Sequence, residues 1–152
     1  MLIKSNSFKE GEFIPKQFTC DGINISPELS WTDFPQNTKS FAVICDDPDA
    51  PAGDWVHWVV YNIPSDMKGL SEAFDKNAQH NNGICQGKTD FGEYGYGGPC
   101  PPSGTHRYFF KLYALDTIFP FDKDMKKNKL IKAMQGHIIA EAKLMGKYKR
   151  GQ

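Results

Sequence analysis

Tyr96-Gly-Gly-Pro-Cys-Pro-Pro-Ser-Gly-Thr-His106-Arg-Tyr-Phe-Phe-Lys-Leu-Tyr-Ala-Leu115 is the stretch that decides the fold. Its first half cannot be helix, because proline lacks an N–H donor and clashes with the preceding turn. Prolines are also hard to place in a central ladder. Its second half is dense in aromatic and β-prone residues and predicts a long, largely buried strand. Alternation along that strand puts His106 and Tyr108 on one face, next to the loop. A glycine-rich loop delivering two polar groups to a strand end builds a small polar pocket, and clustered backbone N–H groups attract anions. Taken alone, the stretch is better read as a turn leading into a core strand with one hydrogen-bonded histidine.

The flanking sequence repeats the theme. Ser40-Phe-Ala-Val-Ile-Cys45 is a continuous apolar run, as expected of a strand covered on both faces. It breaks into Asp46-Asp-Pro-Asp-Ala-Pro-Ala-Gly53, a loop of acids and prolines. Carboxylates so placed cap backbone N–H groups, bind metals or orient histidines. Trp55-Val-His57-Trp-Val-Val-Tyr-Asn-Ile63 predicts the next buried strand, with His57 standing among apolar side chains. Strands are therefore expected near 40–45, 56–63 and 106–115, over a core of Val43, Val59, Val60, Phe109 and Leu112, with Trp31 and Trp58 beside it.

Leu29 and Trp31 alternate and start a further strand, and residues 8–20, broken by Gly11 and Pro15, read as an edge strand. Residues 65–98 are polar, without periodicity; Phe91, Tyr94 and Tyr96 predict a packed loop there. Lys126 to Gln135 places Leu130, Ile131 and Met134 on one helical face, with Gly136 able to close the helix. Beyond it, Ala140, Ala142, Leu144 and Tyr148 alternate with charged residues, predicting a terminal strand near 139–148 in preference to a continued helix.

Composition narrows the function. In 152 residues, Lys+Arg and Asp+Glu both number 18, so the net charge is zero. That argues against duplex nucleic acid or a strongly anionic membrane as a bulk electrostatic partner. No run reaches transmembrane length, and Met1-Leu-Ile-Lys-Ser lacks signal-peptide design, so a cytoplasmic single domain over 1–152 is expected. The four cysteines show no CxxC spacing and are too sparse for a disulfide-built scaffold. Reduced thiols are the expectation, with a Cys20–Cys85 or Cys20–Cys100 bridge left open for an exported form. Ten prolines and fourteen glycines imply many turns and a mainly β fold.

Two blocks now stand together: Asp46-Asp-Pro-Asp-Ala-Pro51 with Trp55-Val-His57, and Gly98-Pro-Cys-Pro-Pro-Ser-Gly-Thr-His106-Arg-Tyr108. In this order they resemble the signature of the phosphatidylethanolamine-binding protein family, which includes the Raf kinase inhibitor proteins. Asn24-Ile-Ser-Pro-Glu-Leu-Ser-Trp31 is similar to that family's N-terminal element, and Gly146-Lys-Tyr-Lys-Arg150 places the chain nearest its bacterial and archaeal branch. The resemblance implies an antiparallel β-sandwich with Greek-key character and few short helices. It also implies a non-enzymatic binding protein, with no cofactor, whose small pocket takes phosphate-like anions or phosphorylated head groups. Members act as regulators of partner proteins, and bacterial ones often form homodimers.

Residue by residue, the resemblance implies a pocket of Asp47, His57, His106 and Tyr108, with Gly98 and Cys100 at its mouth. Pro101 and Pro102 would fix the loop and Asp49 would brace it. Val56 stands where eukaryotic members often carry a second histidine, and Cys100 where they often carry glycine, so ligand shape would differ. The resemblance does not carry kinase regulation over, since the eukaryotic C-terminal extension has no counterpart here. Imidazolium and phenol donors suit an anion, while Asp47 suits the orienting of a histidine. The alternative is a hydrolase using Ser103 with His106 or His57 and Asp47, against which stands the absence of a Gly-x-Ser-x-Gly nucleophile elbow. A metal site ranks below the anion pocket, because two histidines and two aspartates suit zinc or iron by type but not by spacing.

Overall fold

The computed structural model describes residues 1–151. Eight strands and one helix follow in order: β1 Leu2–Lys4, β2 Leu29–Thr32, β3 Ser40–Asp47, β4 Trp55–Pro64, β5 Gly69–Leu70, β6 Cys85–Gln86, β7 His106–Leu115, α1 Lys127–Met134 and β8 Ile138–Tyr148. They form two antiparallel sheets, β1-β2-β5 and β6-β4-β3-β7-β8. The apolar runs explain the larger sheet: β3 and β4 are buried on both faces, so both sets of alternating side chains are mostly apolar, while β7 is buried on both faces only from Leu112 to Leu115.

One face packs against the small sheet. Phe41, Val43, Trp58, Val60, Phe110 and Leu112 meet Ile3, Leu29, Trp31 and Leu70 there, making a β-sandwich. The other face carries Ala42, Ile44, Val59, Tyr61 and Leu115, and Leu130 and Met134 of α1 cover it. Gly136, at φ +81°, ends that helix in a conformation that a side chain would strain. β8 then pairs with β7 along its whole length, from Leu115↔Ile138 to His106↔Tyr148.

Phe109 does not join the core. Arg107, Phe109 and Lys111 share the outward face of β7, where Arg107 and Lys143 lie over the Phe109 ring, at 5.6 and 5.5 Å. Phe110 takes the buried position instead. Residues 8–20 form no ladder: Lys16–Phe18 is a 3-10 turn, and Phe13 makes only an isolated bridge to Lys147. Pro15 and Gly11 break the segment, yet Gly11 and Ile14 donate to Met145 and Lys147, so it shields the β8 edge. The polar stretch before Gly98 is packed, as its aromatics predict. Trp58 Nε1 donates to the buried Gln86 Oε1 at 2.8 Å, and Gln86 Nε2 donates to the Asp75 and Asn77 carbonyls.

The cysteines depart from the reduced expectation. Cys20 and Cys100 are disulfide-bonded across a Cα–Cα distance of 5.4 Å, while Cys45 and Cys85 are free and buried. Backbone contact brings the pair together: the Cys20 N–H donates to the Pro99 carbonyl at 3.0 Å.

Candidate functional site

Asp47 closes β3, His57 lies near the start of β4, and His106 and Tyr108 begin β7. All four line one cavity of about 300 Å³. That His57 faces the same way as Tyr108 is not dictated by alternation. Val59 and Tyr61, two and four residues on, belong to the opposite, helix-covered face. The register between β3 and β4 slips at this point, from Cys45↔Trp58 to Asp46↔Val56, leaving His57 as the extra residue of a β-bulge. The bulge swings the imidazole onto the side of Tyr108, 5.1 Å away between ring centroids and edge-on.

Each histidine has one nitrogen committed. His57 Nδ1 donates to the Gly97 carbonyl at 2.6 Å, which fixes the proton on that nitrogen because a carbonyl only accepts. His106 Nδ1 donates to Asp47 Oδ2 at 2.6 Å. The Nε2 atoms are what remain for a ligand. Asp47 is buried, and its Oδ1 accepts the Asp49 N–H at 2.7 Å, so it orients a histidine and braces its own loop at once. The Tyr108 hydroxyl is fully buried and has no hydrogen-bond partner among the described residues. Burial, helped by the Asp47 charge, pushes that phenol far above its ordinary range, so it is an O–H donor at any physiological pH.

Asp49 faces away from the cavity chemistry. Its carboxylate accepts the Arg107 backbone N–H, Nε–H and Nη2–H at 2.8 to 2.9 Å. Those bonds bring it down to about 2. Cys100, Pro101 and Pro102 line the mouth, but Gly98 does not. The Gly98 N–H is taken by Asn24 Oδ1 at 2.8 Å, and a Cβ there would stand 2.2 Å from the Phe18 carbonyl. Glycine is required at 98 for this close backbone approach. Ser103 is exposed, outside the cavity lining, and makes no hydrogen bond to either histidine among the described residues. No cluster of three or more potential metal ligands occurs among the described residues.

Sequence reasoning passed over four lining residues: Ala50, Pro51, Trp55 and Phe91. Trp55 and Phe91 are 37% and 45% exposed and pack edge-on at 5.6 Å, forming an apolar lip over a polar floor. Position in the signature blocks could have pointed to Trp55, which belongs to the Trp-x-His element. Phe91 came from a polar loop with no such marker.

Burial outweighs the Gly97 hydrogen bond and the Asp47 charge at His57, and lowers its pKa from 6.5. The unfolded chain therefore binds this proton before the folded one, and stability is lost as pH falls below about 6.5. The slope for one proton is at most about 1.4 kcal/mol per pH unit. Urea midpoints should decline through that window in the native chain and decline less in His57→Gln. A native midpoint that rises on acidification, relative to the variant, would contradict a neutral buried His57.

The family model described as phosphatidylethanolamine-binding protein matches residues 4–149. A Methanothermobacter thermautotrophicus protein named UPF0098 protein is 51% identical, covering 99% of this chain and 100% of its own. An Aquifex aeolicus protein of the same name is 52% identical, covering 99% and 89%. Among solved structures, a phosphatidylethanolamine-binding protein homolog from Chlamydia trachomatis superposes with a TM-score of 0.89 at 42% identity, covering 98% of this chain and 97% of that one. E. coli YbcL, described as a member of the mammalian family, gives 0.87 at 36% identity, covering 97% of each chain.

Proposed function

The chain belongs to the phosphatidylethanolamine-binding protein family, and from that premise we propose that the Asp47–His57–His106–Tyr108 cavity captures a small phosphate-like anion. Its natural form is the phosphoryl group of a phosphorylated head group, bound without chemical conversion. The observation that carries this is the buried Tyr108 O–H without a protein partner, lining the same cavity as two histidines whose Nδ1 protons are already given away. An unpartnered buried hydroxyl costs stability unless something accepts from it. A phosphoryl oxygen accepts from a hydroxyl and from an imidazolium Nε2–H alike. Apolar side chains at Trp55 and Phe91 border the mouth and lower the local dielectric around a bound anion, which strengthens each such bond.

Binding is then linked to protons. Neutral His57 offers only an acceptor at Nε2, so either the histidine takes up a proton or the ligand brings one. A phosphate monoester acquires its second charge near about pH 6. Affinity accordingly passes through a maximum in mildly acidic to neutral solution, and bound anion raises the apparent histidine pKa. The test is calorimetric titration with inorganic phosphate across pH, in buffers of differing ionisation enthalpy, with histidine NMR in parallel. Net proton uptake is expected; His106→Ala should weaken binding by about tenfold and flatten its pH dependence. Tyr108→Phe should weaken binding while leaving the pH dependence. Unmoved His57 and His106 resonances at saturating phosphate would make these structural histidines and end the proposal.

A further inference from the structure

The anion cavity shares two wall residues, Phe91 and Cys100, with a second cavity of about 200 Å³. Phe91 is a partition, 45% exposed and held edge-on between Trp55 and His57. Beyond it, the second cavity offers neutral donors whose orientation is already set. Thr89 is 3% exposed, and its Oγ1 accepts the Phe91 N–H at 3.1 Å. The Thr89 O–H has no acceptor among the described residues. Asn24 Oδ1 accepts the Gly98 N–H, which leaves Nδ2 as a donor with no partner among the described residues. At the rim stand one ammonium, Lys76, and one carboxylate, Glu93, which together favour neither sign.

Fixed neutral donors recognise hydroxyl or carbonyl oxygens, and a rim of balanced charge does not select a second anion. Resting on the phosphoryl assignment of the first cavity, we propose that the two cavities form one bipartite site for the phosphate ester of a polyol or sugar. The phosphoryl group sits on the histidine side of Phe91, and the hydroxyl-bearing part reaches past the ring to Thr89 and Asn24.

The experiment is calorimetry on the full chain with three probes: inorganic phosphate, n-propyl phosphate and glycerol 3-phosphate. The two esters share a three-carbon chain and differ in hydroxyl groups. Glycerol 3-phosphate should bind about tenfold more tightly than propyl phosphate, the worth of satisfying the buried Thr89 donor and the half-buried Asn24 donor. Thr89→Val should erase that preference and Thr89→Ser should keep it, with inorganic phosphate affinity the same in all three proteins. Should Thr89→Val fail to fold, Asn24→Gly removes the other donor, because glycine accepts the φ of +61° found there. Phosphate binding with equal affinities for the two esters overturns the bipartite site alone, as does a preference that survives Thr89→Val. No binding of inorganic phosphate overturns the anion cavity and the bipartite site together.

Discussion

Breaking the Cys20–Cys100 disulfide, by reduction or by paired replacement with serine, is expected to lower stability by about 4 kcal/mol. The two cysteines are 80 residues apart in sequence, so the bond removes a large amount of loop-closure entropy from the unfolded chain. Few single covalent changes in a chain of this size act so strongly on the denatured ensemble. The folded state, by contrast, retains most of its local geometry without it. Tyr96 O–H donates to the Phe18 carbonyl at 2.7 Å, Gly98 N–H to Asn24, and Cys20 N–H to Pro99. The expected pattern is therefore a large fall in urea midpoint with a small change in phosphate affinity. Equilibrium unfolding with and without a phosphine reductant, beside the double-serine variant, checks it. A loss below about 1 kcal/mol would mean the unfolded chain is already compact around this contact.

Replacing Asp47 with alanine should cost about 3 kcal/mol, because it strands two donors rather than one. The Asp49 N–H and the His106 Nδ1–H both lose their acceptor, at a position that is 3% exposed. Asparagine is the informative comparison. It retains one acceptor oxygen for two donors, so it should recover more stability than anion affinity, since a His106 ring no longer held by a carboxylate is less firmly aimed at the ligand. Denaturant titration and phosphate calorimetry on both variants separate the two effects. Equal stability for Asp47→Ala and the native chain would show that water replaces the carboxylate, and that Asp47 is not the fixed support of His106.

Much of the molecule was legible because local and global preferences agree. The β3 and β4 runs are apolar on both faces, and such runs have no stable place except inside a covered sheet. β8 declared itself by alternation, and α1 by the spacing of Leu130 and Met134, its bounds settling at Lys127–Met134. Phe109 and Phe110 are adjacent and equally apolar, so composition alone could not say which is buried. Strand parity with Tyr108 and Leu112 decides for Phe110, and cations cover Phe109 instead. The role of Gly98 was ambiguous for a related reason: a glycine that lets backbones meet, as it does against Phe18, looks the same in sequence as one that admits a ligand.

By itself, the amino-acid sequence determined the large sheet, the helix that covers it, and the pairing of His106 with Tyr108 on one face, because those depend on periodicity within a single element. Only the tertiary structure decided where His57 points. Continuous alternation through Val59 and Tyr61 would send it to the helix-covered side; one extra residue against Asp46 turns it toward Tyr108. The cysteine pairing was decided the same way, from bridges left open in the sequence to Cys20–Cys100, by backbone contact between residues far apart in the chain. A register slip and a long-range closure depend on what lies opposite in space, and no pattern confined to one strand or one loop encodes either.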